Sequence, residues 1–234
     1  MNSTPATPAA PAARQRSTRD RPAKAPLSED AVIDAALAIL KSEGLPAVSM
    51  RRVGAALDTG AASLYVYVSG REGLLQAMHA RIIAGIELEA PDPARWREQL
   101  HALLARMREA LIAHPGIAET AIAEPPTSPA AQRLLENLLG ILLTGGRLDP
   151  QDAAWAADIF ATLVNYSAIE ADVRRVDHRE RAGMLYKTFT GLSPDRFPLI
   201  TAHATQLVAG DSEERFRVSV DVVLDGLLAR AARR

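Results

Sequence analysis

Closely spaced helix signals between Ser28 and Leu75 constrain the fold of this chain more than any other feature. Apolar residues recur at helical spacing from Val32 to Leu40, behind Ser28 as an N-cap and ahead of Gly44 as a stop. These closely spaced start and stop signals predict short helices, which must bury their apolar stripes against one another.

Two further short helices are predicted from Ser49 to Leu57 and from Ala61 to Val68, separated by the turn Asp58-Thr59-Gly60. A fourth is predicted from Arg71 to about Glu89. Two short helices joined by a three- or four-residue turn can place the second helix in the major groove of DNA. A helical hairpin inside an ordinary core would give the same spacing, so the helix pattern alone leaves both interpretations open.

The order of motifs in this region resembles the amino-terminal DNA-binding domain of the TetR family of transcriptional repressors. The motifs are Ser-Met-Arg-Arg-Val at 49–53, Ser-Leu-Tyr-Val-Tyr-Val at 63–68 and Gly-Arg-Glu-Gly-Leu-Leu at 70–75. The resemblance covers about 48 residues with matching spacing. It implies a helix-turn-helix domain over residues 27–90, with double-stranded operator DNA as the partner.

The resemblance also implies roles for individual positions. Tyr65 and Arg71 match residues that contact phosphates, and Arg51 matches a position that reaches the backbone or a base. Tyr67 stands where the family more often has a histidine. The full set of expected DNA contacts is Arg51, Arg52, Ala61, Ala62, Ser63, Tyr65, Val66, Tyr67 and Arg71.

Two departures from the family pattern affect how DNA would be read. Asp58 occupies a turn position where glycine is common, although aspartate tolerates left-handed backbone better than most residues. The predicted recognition helix, residues 61–68, has no basic side chain, so it cannot pair arginine with guanine. Specificity would have to come from Arg51, from Ser63, and from thymine-methyl contacts by Ala61, Ala62 or Val66.

Charge is distributed unevenly along the chain. The net charge is −1, yet residues 1–26 hold five basic residues and one acid in a Pro- and Ala-rich segment. That composition predicts a disordered basic arm, which either adds phosphate or minor-groove contacts or merely solubilises the chain. There is no cysteine and no apolar run long enough to span a membrane. We therefore expect a cytoplasmic protein with no membrane partner.

Residues 91–234 show only helical periodicity, which predicts an all-α fold for the whole chain. The motifs Trp96-Arg-Glu-Gln-Leu, His114-Pro and the segment 215–228 resemble the ligand-binding domains of the tetracycline-repressor-like branch. The resemblance implies a homodimer that leaves DNA when a small-molecule effector binds between the helices. No cofactor or metal is expected.

Candidate effector contacts are polar or large side chains within the apolar helices of this region. Each of them is also compatible with plain core packing, and the turn at residues 165–166 could instead be solvated or face a dimer partner. The candidates are His101, Met107, Trp155, Phe160, Asn165 and Tyr166.

The final predicted helix, residues 212–230, carries two apolar lines rather than one. Phe216, Val220 and Leu224 belong to a broad face suited to the core. Val218 and Val222, with Gly226, form the second line. The family resemblance implies that this helix and the helix at 150–173 pair with their two-fold mates in a four-helix bundle. The alternative is that the second line packs under a helix at 194–208.

An enzymatic function is not expected. Phosphate-loop, dinucleotide-binding and metalloprotease motifs are missing from the sequence. None of the five histidines stands with a second histidine or a carboxylate in a recognisable ligand set, and His114 before Pro115 is best explained as a helix-end residue. The alternative to a repressor is therefore a helical ligand-binding or adaptor protein that does not bind an operator.

Overall fold

The computed structural model describes residues 26–121, 126–173 and 178–233. The expected basic arm lies outside these residues except for Pro26, and so does the end of the short helix expected at 117–123. Among the described residues the structure is helical with no β-strand, which confirms the predicted all-α fold.

The first two amino-terminal helices begin and end close to their predicted bounds. Ser28 and Ser49 accept the backbone N–H groups of Ala31 and Arg52, and therefore cap their helices as expected. Gly44 ends the first helix at a φ of +83°. The elements are α1 (Glu29–Glu43), a 3₁₀ turn (Leu45–Ala47), α2 (Met50–Ala56), a 3₁₀ helix (Ala61–Val66) and α3 (Gly70–Ala84).

The carboxy-terminal helices also follow the predicted pattern, except that the segment expected as one helix at 194–208 is split at His203. The elements are α4 (Trp96–Ile112), α5 (Ile117–Ala121), α6 (Pro129–Gly140) with a π-helical extension (Ile141–Gly145), α7 (Pro150–Val173), α8 (His178–Thr190), α9 (Pro198–Ala202), α10 (Ala204–Val208) and α11 (Ser212–Ala231). None of the described helices combines the length and apolar character that spanning a bilayer requires.

One apolar core runs through both groups of helices. In the carboxy-terminal part, α7 packs against α4 on one side and α11 on the other. In the amino-terminal part, α3 packs against α1 and also against α5 and α6. The fully buried side chains on these helices include Val32, Leu64, Leu74, Met78, Leu100, Leu103, Leu104, Phe160 and Leu224. Because α3 packs against helices of both parts, it connects the amino-terminal and carboxy-terminal helices.

The structure corrects the predicted length of α3, which ends at Ala84 and not near Glu89. Gly85 follows the helix and lowers helix propensity there. The next residues are held by side chains of the carboxy-terminal helices: Gln99 donates to the Ala90 carbonyl at 2.9 Å, and Asn137 donates to the Glu89 carbonyl at 2.7 Å. These bonds replace the helical bonds that a longer α3 would have made.

The second apolar line of α11 is uncovered. Val218 is 51 % exposed and Val222 is 67 % exposed, while the first line, which includes Val220, is buried. Trp155 and Ile159 on the adjacent α7 are also exposed. The alternative in which a helix at 194–208 covers the second line is therefore wrong. Together Trp155, Ile159, Val218 and Val222 are called the α7–α11 face below.

Candidate DNA-reading surface and ligand cavity

The turn between α2 and the following 3₁₀ helix is tight because α2 has no side chain at Gly54. A Cβ there would lie 2.9 Å from the carbonyl oxygen of Thr59 and 3.2 Å from the nitrogen of Ala61. The N–H of Thr59 donates to the Gly54 carbonyl at 2.8 Å, and Asp58 has a φ of +50°. The left-handed conformation expected for Asp58 is confirmed. The role of Gly54 was not foreseen, although a glycine inside a predicted helix was the available signal.

The segment Ala61–Val66, called the recognition segment below, is a 3₁₀ helix and not the predicted α-helix. Its anchor is Leu64, which is fully buried. Tyr65 is 61 % exposed and Val66 is 82 % exposed, and Ala62 and Ser63 are exposed beside them. Four of the expected contacts thus lie together at the protein surface, without any charged group.

Two expected DNA contacts are less exposed than their neighbours. Ala61 is half-buried and packs on the core. Tyr67 is also half-buried, and its hydroxyl donates to the backbone carbonyl of Leu27 at 2.8 Å. Ala61 is thus used in packing, and Tyr67 ties the recognition segment to the start of α1; their contact with DNA stays a prediction.

The basic residues flanking the recognition segment differ in their partners. Arg52 forms a two-point contact with Glu43, at 2.5 and 3.2 Å, and this hydrogen bonding lowers the pKa of the Glu43 carboxyl from its ordinary value. Arg71 donates through Nε to the Val48 carbonyl at 3.1 Å while remaining exposed. Arg51 is exposed and forms no ion pair with another described residue. Arg51 and Arg71 therefore keep their charge available to an external anion, whereas Arg52 is already neutralised.

A cavity of about 870 Å³ lies among α3, α4, α6 and α7. Its deep walls are apolar and come from three helices: Ile83, Met107, Leu111, Leu134 and Leu138. Its polar groups include Gln76 and His79 on α3, and Thr162, Asn165 and Tyr166 on α7. A concave apolar site with a few polar groups is typical of small-molecule binding.

Three of the six expected effector contacts line this cavity, namely Met107, Asn165 and Tyr166. Tyr166 is also exposed, so its position is compatible both with a ligand contact and with a solvated turn at 165–166. The polar side chains that α3 contributes were not foreseen. The sequence signal that could have indicated them is their position on α3, a helix whose apolar face is buried.

The other three expected effector contacts do not line this cavity. His101 Nε2 lies 3.0 Å from a carboxylate oxygen of Asp221 on α11. Trp155 belongs to the α7–α11 face and stacks under the Arg230 guanidinium, 5.1 Å from the ring centre. Phe160 is fully buried in the core. These side chains make contacts between helices outside the cavity.

The cavity touches the chain directly after the recognition segment. Tyr67, Val68 and Ser69 all line it, together with Gly73 at the start of α3. A Cβ on Gly73 would lie 2.3 Å from the Ser69 hydroxyl oxygen, so this part of the wall is closely packed. A molecule in the cavity would therefore contact residues 67–69, which directly follow the recognition segment.

His114 and the other histidines show no metal-binding arrangement in the described residues, where no group of three or more histidine, aspartate or glutamate side chains could hold an ion. His114 Nδ1 lies 2.7 Å from the Ala110 carbonyl oxygen at the end of α4. This contact confirms its interpretation as a helix-end residue.

Two family models match the chain, one over each part. Residues 32–78 match the model for bacterial regulatory proteins of the tetR family. Residues 90–231 match the model for the tetracyclin repressor-like carboxy-terminal domain. Together the matches extend over the recognition segment and over the helices that surround the cavity.

Similar proteins include transcriptional repressors and their ligand complexes. The HTH-type transcriptional repressor DrrR1 of Streptomyces coeruleorubidus is 29 % identical over 230 residues, which cover 93 % of this chain and 84 % of the relative. The Streptomyces coelicolor TetR family protein ActR in complex with actinorhodin is 34 % identical, with a TM-score of 0.82 over 88 % of this chain and 98 % of ActR. Apo ActR gives a TM-score of 0.80 over 88 % of this chain and 99 % of that one, also at 34 % identity.

Proposed function

The chain belongs to the TetR family of bacterial transcriptional regulators, and we propose that it represses transcription from an inverted-repeat operator that it binds as a homodimer. It is a ligand-responsive DNA-binding protein. The observation that carries the proposal is the continuity between its two surfaces. The recognition segment ends at Val66, and the next three residues line the ligand cavity.

In the proposed DNA complex, each protomer inserts its recognition segment into one major groove. Tyr65 and Arg71 bind phosphates on either side, and Arg51 reaches the backbone or a base from the start of α2. The two segments must then lie about 34–36 Å apart, because consecutive major grooves on one face of B-DNA have that separation. Ala62, Ser63 and Val66 face the base edges. With few cations available, we expect moderate nonspecific affinity.

The dimer is proposed to form through the α7–α11 face. Val218 and Val222 expose apolar surface on the outer side of α11, and Trp155 and Ile159 expose more on α7. Two copies related by a two-fold axis would bury this surface in a four-helix bundle. Binding of both half-sites depends on this contact, since one protomer makes too few DNA contacts alone.

We propose that ligand binding shifts α3 and thereby releases the protein from DNA. The helix begins beside the cavity at Gly70, and the chain after its last turn is tied to α4 and α6 through Gln99 and Asn137. A ligand that binds one orientation of α3 better than the other shifts the distance between the two recognition segments. Because the coupling is reciprocal, saturating DNA must weaken the ligand by the same factor.

The proposed effector is an apolar or amphipathic small molecule. The 870 Å³ cavity falls within the range of roughly 300–1,000 Å³ typical of such sites. ActR, which has a similar fold, has been crystallised with actinorhodin, and this supports a small-molecule ligand for the present chain. We propose no enzymatic activity, and we place the protein in the cytoplasm because its partner is the bacterial chromosome.

The direct test is binding of the purified full chain to the DNA upstream of its own gene, measured by gel shift and footprinting. We expect protection of two half-sites one helical turn apart on one face of the duplex. A folded dimer that binds this DNA no better than an unrelated sequence of equal length, under several salt concentrations, would instead favour a ligand-binding or adaptor protein without an operator.

A further inference from the structure

The charge of the cavity lining is one-sided. Asp158 on α7 and Glu29 on α1 both line the cavity, whereas no lysine or arginine among the described residues does. Asp158 forms no ion pair or side-chain hydrogen bond with another described residue. Its carboxylate is therefore not neutralised by a cation of this protomer's described residues, unlike the Glu43 carboxylate beside Arg52.

The α7 wall of the cavity carries a row of polar side chains. Asp158, Thr162, Asn165 and Tyr166 follow one another on α7 at spacings of four, three and one residues, which places them along one side of the helix. At 1.5 Å per residue, the distance along α7 from Asp158 to Asn165 is about 10 Å. The walls from α4 and α6 supply the apolar side chains Met107, Leu111, Leu134 and Leu138, whereas α3 contributes Gln76 and His79 as well as Ile83.

We propose that the effector is an amphipathic cation about three fused rings long, with its charged group at Asp158 and its hydrogen-bonding edge along α7. This inference rests on the proposed function only for the statement that the cavity holds the effector. Asp158 is exposed and has no cationic partner among the described residues, so its carboxylate attracts a cation and repels an anion through an interaction that salt screens. The rings would lie against Met107 and Leu138, with the Thr162 and Asn165 side chains at their polar edge.

The test uses three planar three-ring probes of nearly equal size and different charge. They are 9-aminoacridine, which is a cation at neutral pH, acridine, which is uncharged, and anthracene-9-carboxylate, which is an anion. Fluorescence titration of the full, DNA-free protein gives a dissociation constant for each. We expect 9-aminoacridine to bind about tenfold more tightly than acridine, a difference of about 1.4 kcal/mol, and anthracene-9-carboxylate to bind least.

The variant Asp158→Asn removes the charge without changing the shape of the side chain. It should weaken 9-aminoacridine about tenfold and leave acridine unchanged, because only the first depends on the carboxylate. Asp195→Asn is the matched control, since Asp195 is exposed and lies outside the cavity lining. It should change neither constant. Raising the salt concentration should weaken 9-aminoacridine and not acridine.

Several results would overturn the inference. They are equal binding of the cation and the anion, retention of the cation's advantage in Asp158→Asn, or saturable binding by none of the three probes. None of them bears on operator binding, which is measured separately on DNA without probe. A protein that binds its operator and prefers the anion would keep the proposed function and lose the proposed ligand class.

Discussion

The recognition segment and the ligand cavity differ in how far apart in sequence their residues lie. The residues proposed to face DNA come from one short stretch, Arg51 to Arg71, whose conformation is fixed by caps and a turn. The cavity lining begins at Glu29 and ends at Tyr166, and it draws on helices from both parts of the chain. The reading surface is therefore built mainly from local signals, whereas the cavity depends on how distant helices pack.

The two regions also differ in what a substitution would disturb. Tyr65 and Val66 are exposed, so truncating them should leave the fold intact. Most deep cavity residues, such as Leu138 and Met107, belong to the core as well. Changes at the recognition segment should therefore alter DNA binding alone, and changes near the cavity should alter ligand binding, coupling and stability together.

The largest effect on operator binding is expected from the α7–α11 face, because binding of both half-sites depends on the proposed dimer contact. Val222→Glu places a charge in the middle of the proposed dimer contact, so we expect monomers in sedimentation velocity at micromolar concentration. Operator affinity should fall by about a hundredfold or more, because joining two half-sites raises avidity by that order.

The control for this change is Leu199→Glu on α9, which is also exposed but lies outside the α7–α11 face. It should remain dimeric and bind the operator normally. A monomeric unmodified protein at micromolar concentration would remove the dimer from the proposal altogether.

The next largest effect is expected from the phosphate contacts at and beside the recognition segment. Tyr65→Ala combined with Arg71→Ala should lower affinity about a hundredfold on every sequence, at about 0.7 kcal/mol for each of the four phosphate contacts that the dimer loses. Arg71→Ala alone should reduce the slope of log affinity against log salt by about two units, one for each protomer, measured by fluorescence anisotropy.

Two controls accompany the phosphate contacts. Arg71→Lys keeps the charge and should keep the salt slope, and thermal unfolding should be little changed in Tyr65→Phe. If the double variant binds with unchanged affinity, this surface does not contact DNA.

A smaller effect tests the link between the two regions. Gln99 is buried and bonds both the Ala90 carbonyl and the Asp92 N–H, so Gln99→Leu leaves these groups unpaired and should destabilise the fold by about 1–2 kcal/mol. The factor by which ligand weakens operator binding should fall about fivefold, because the segment after α3 is released from α4.

Gln206→Leu, on the exposed side of α10, is the matched control and should leave the coupling unchanged. The factor is obtained from operator titrations with and without saturating ligand. Unaltered coupling in Gln99→Leu would mean that the signal does not pass through residues 85–95.

The smallest effect concerns base reading. Val66, 82 % exposed, offers methyl groups and no hydrogen bond, so it can distinguish thymine only by the C5 methyl group. Replacing the contacted thymine by uracil should weaken binding about fourfold, the value of one buried methyl group. Val66→Ala should bind both DNAs alike, and Ser63→Ala should change the preference among operators in a different way. Equal binding of thymine and uracil DNA by the unmodified protein would exclude this contact.

The order of the helices and most of their bounds could be predicted from local sequence signals. Caps at Ser28 and Ser49, the stops at Gly44 and the turn at Asp58 act over a few residues, so they could be identified without tertiary contacts. The motifs also predicted which family the chain belongs to. The two apolar lines of α11 predicted an uncovered face, because one helix needs only one face for its own core.

Which side chains contact one another became clear from the packing of the helices alone. His101, Trp155 and Phe160 had the right chemistry for a ligand site, yet packing directs them toward Asp221, Arg230 and the core. Tyr67 had the right position for DNA, yet its hydroxyl bonds Leu27, forty residues earlier. Helical periodicity fixes the face on which a side chain lies, but the neighbour on that face depends on distant residues. For that reason the cavity, its wall on α3 and the early end of α3 at Ala84 could not be derived from the sequence.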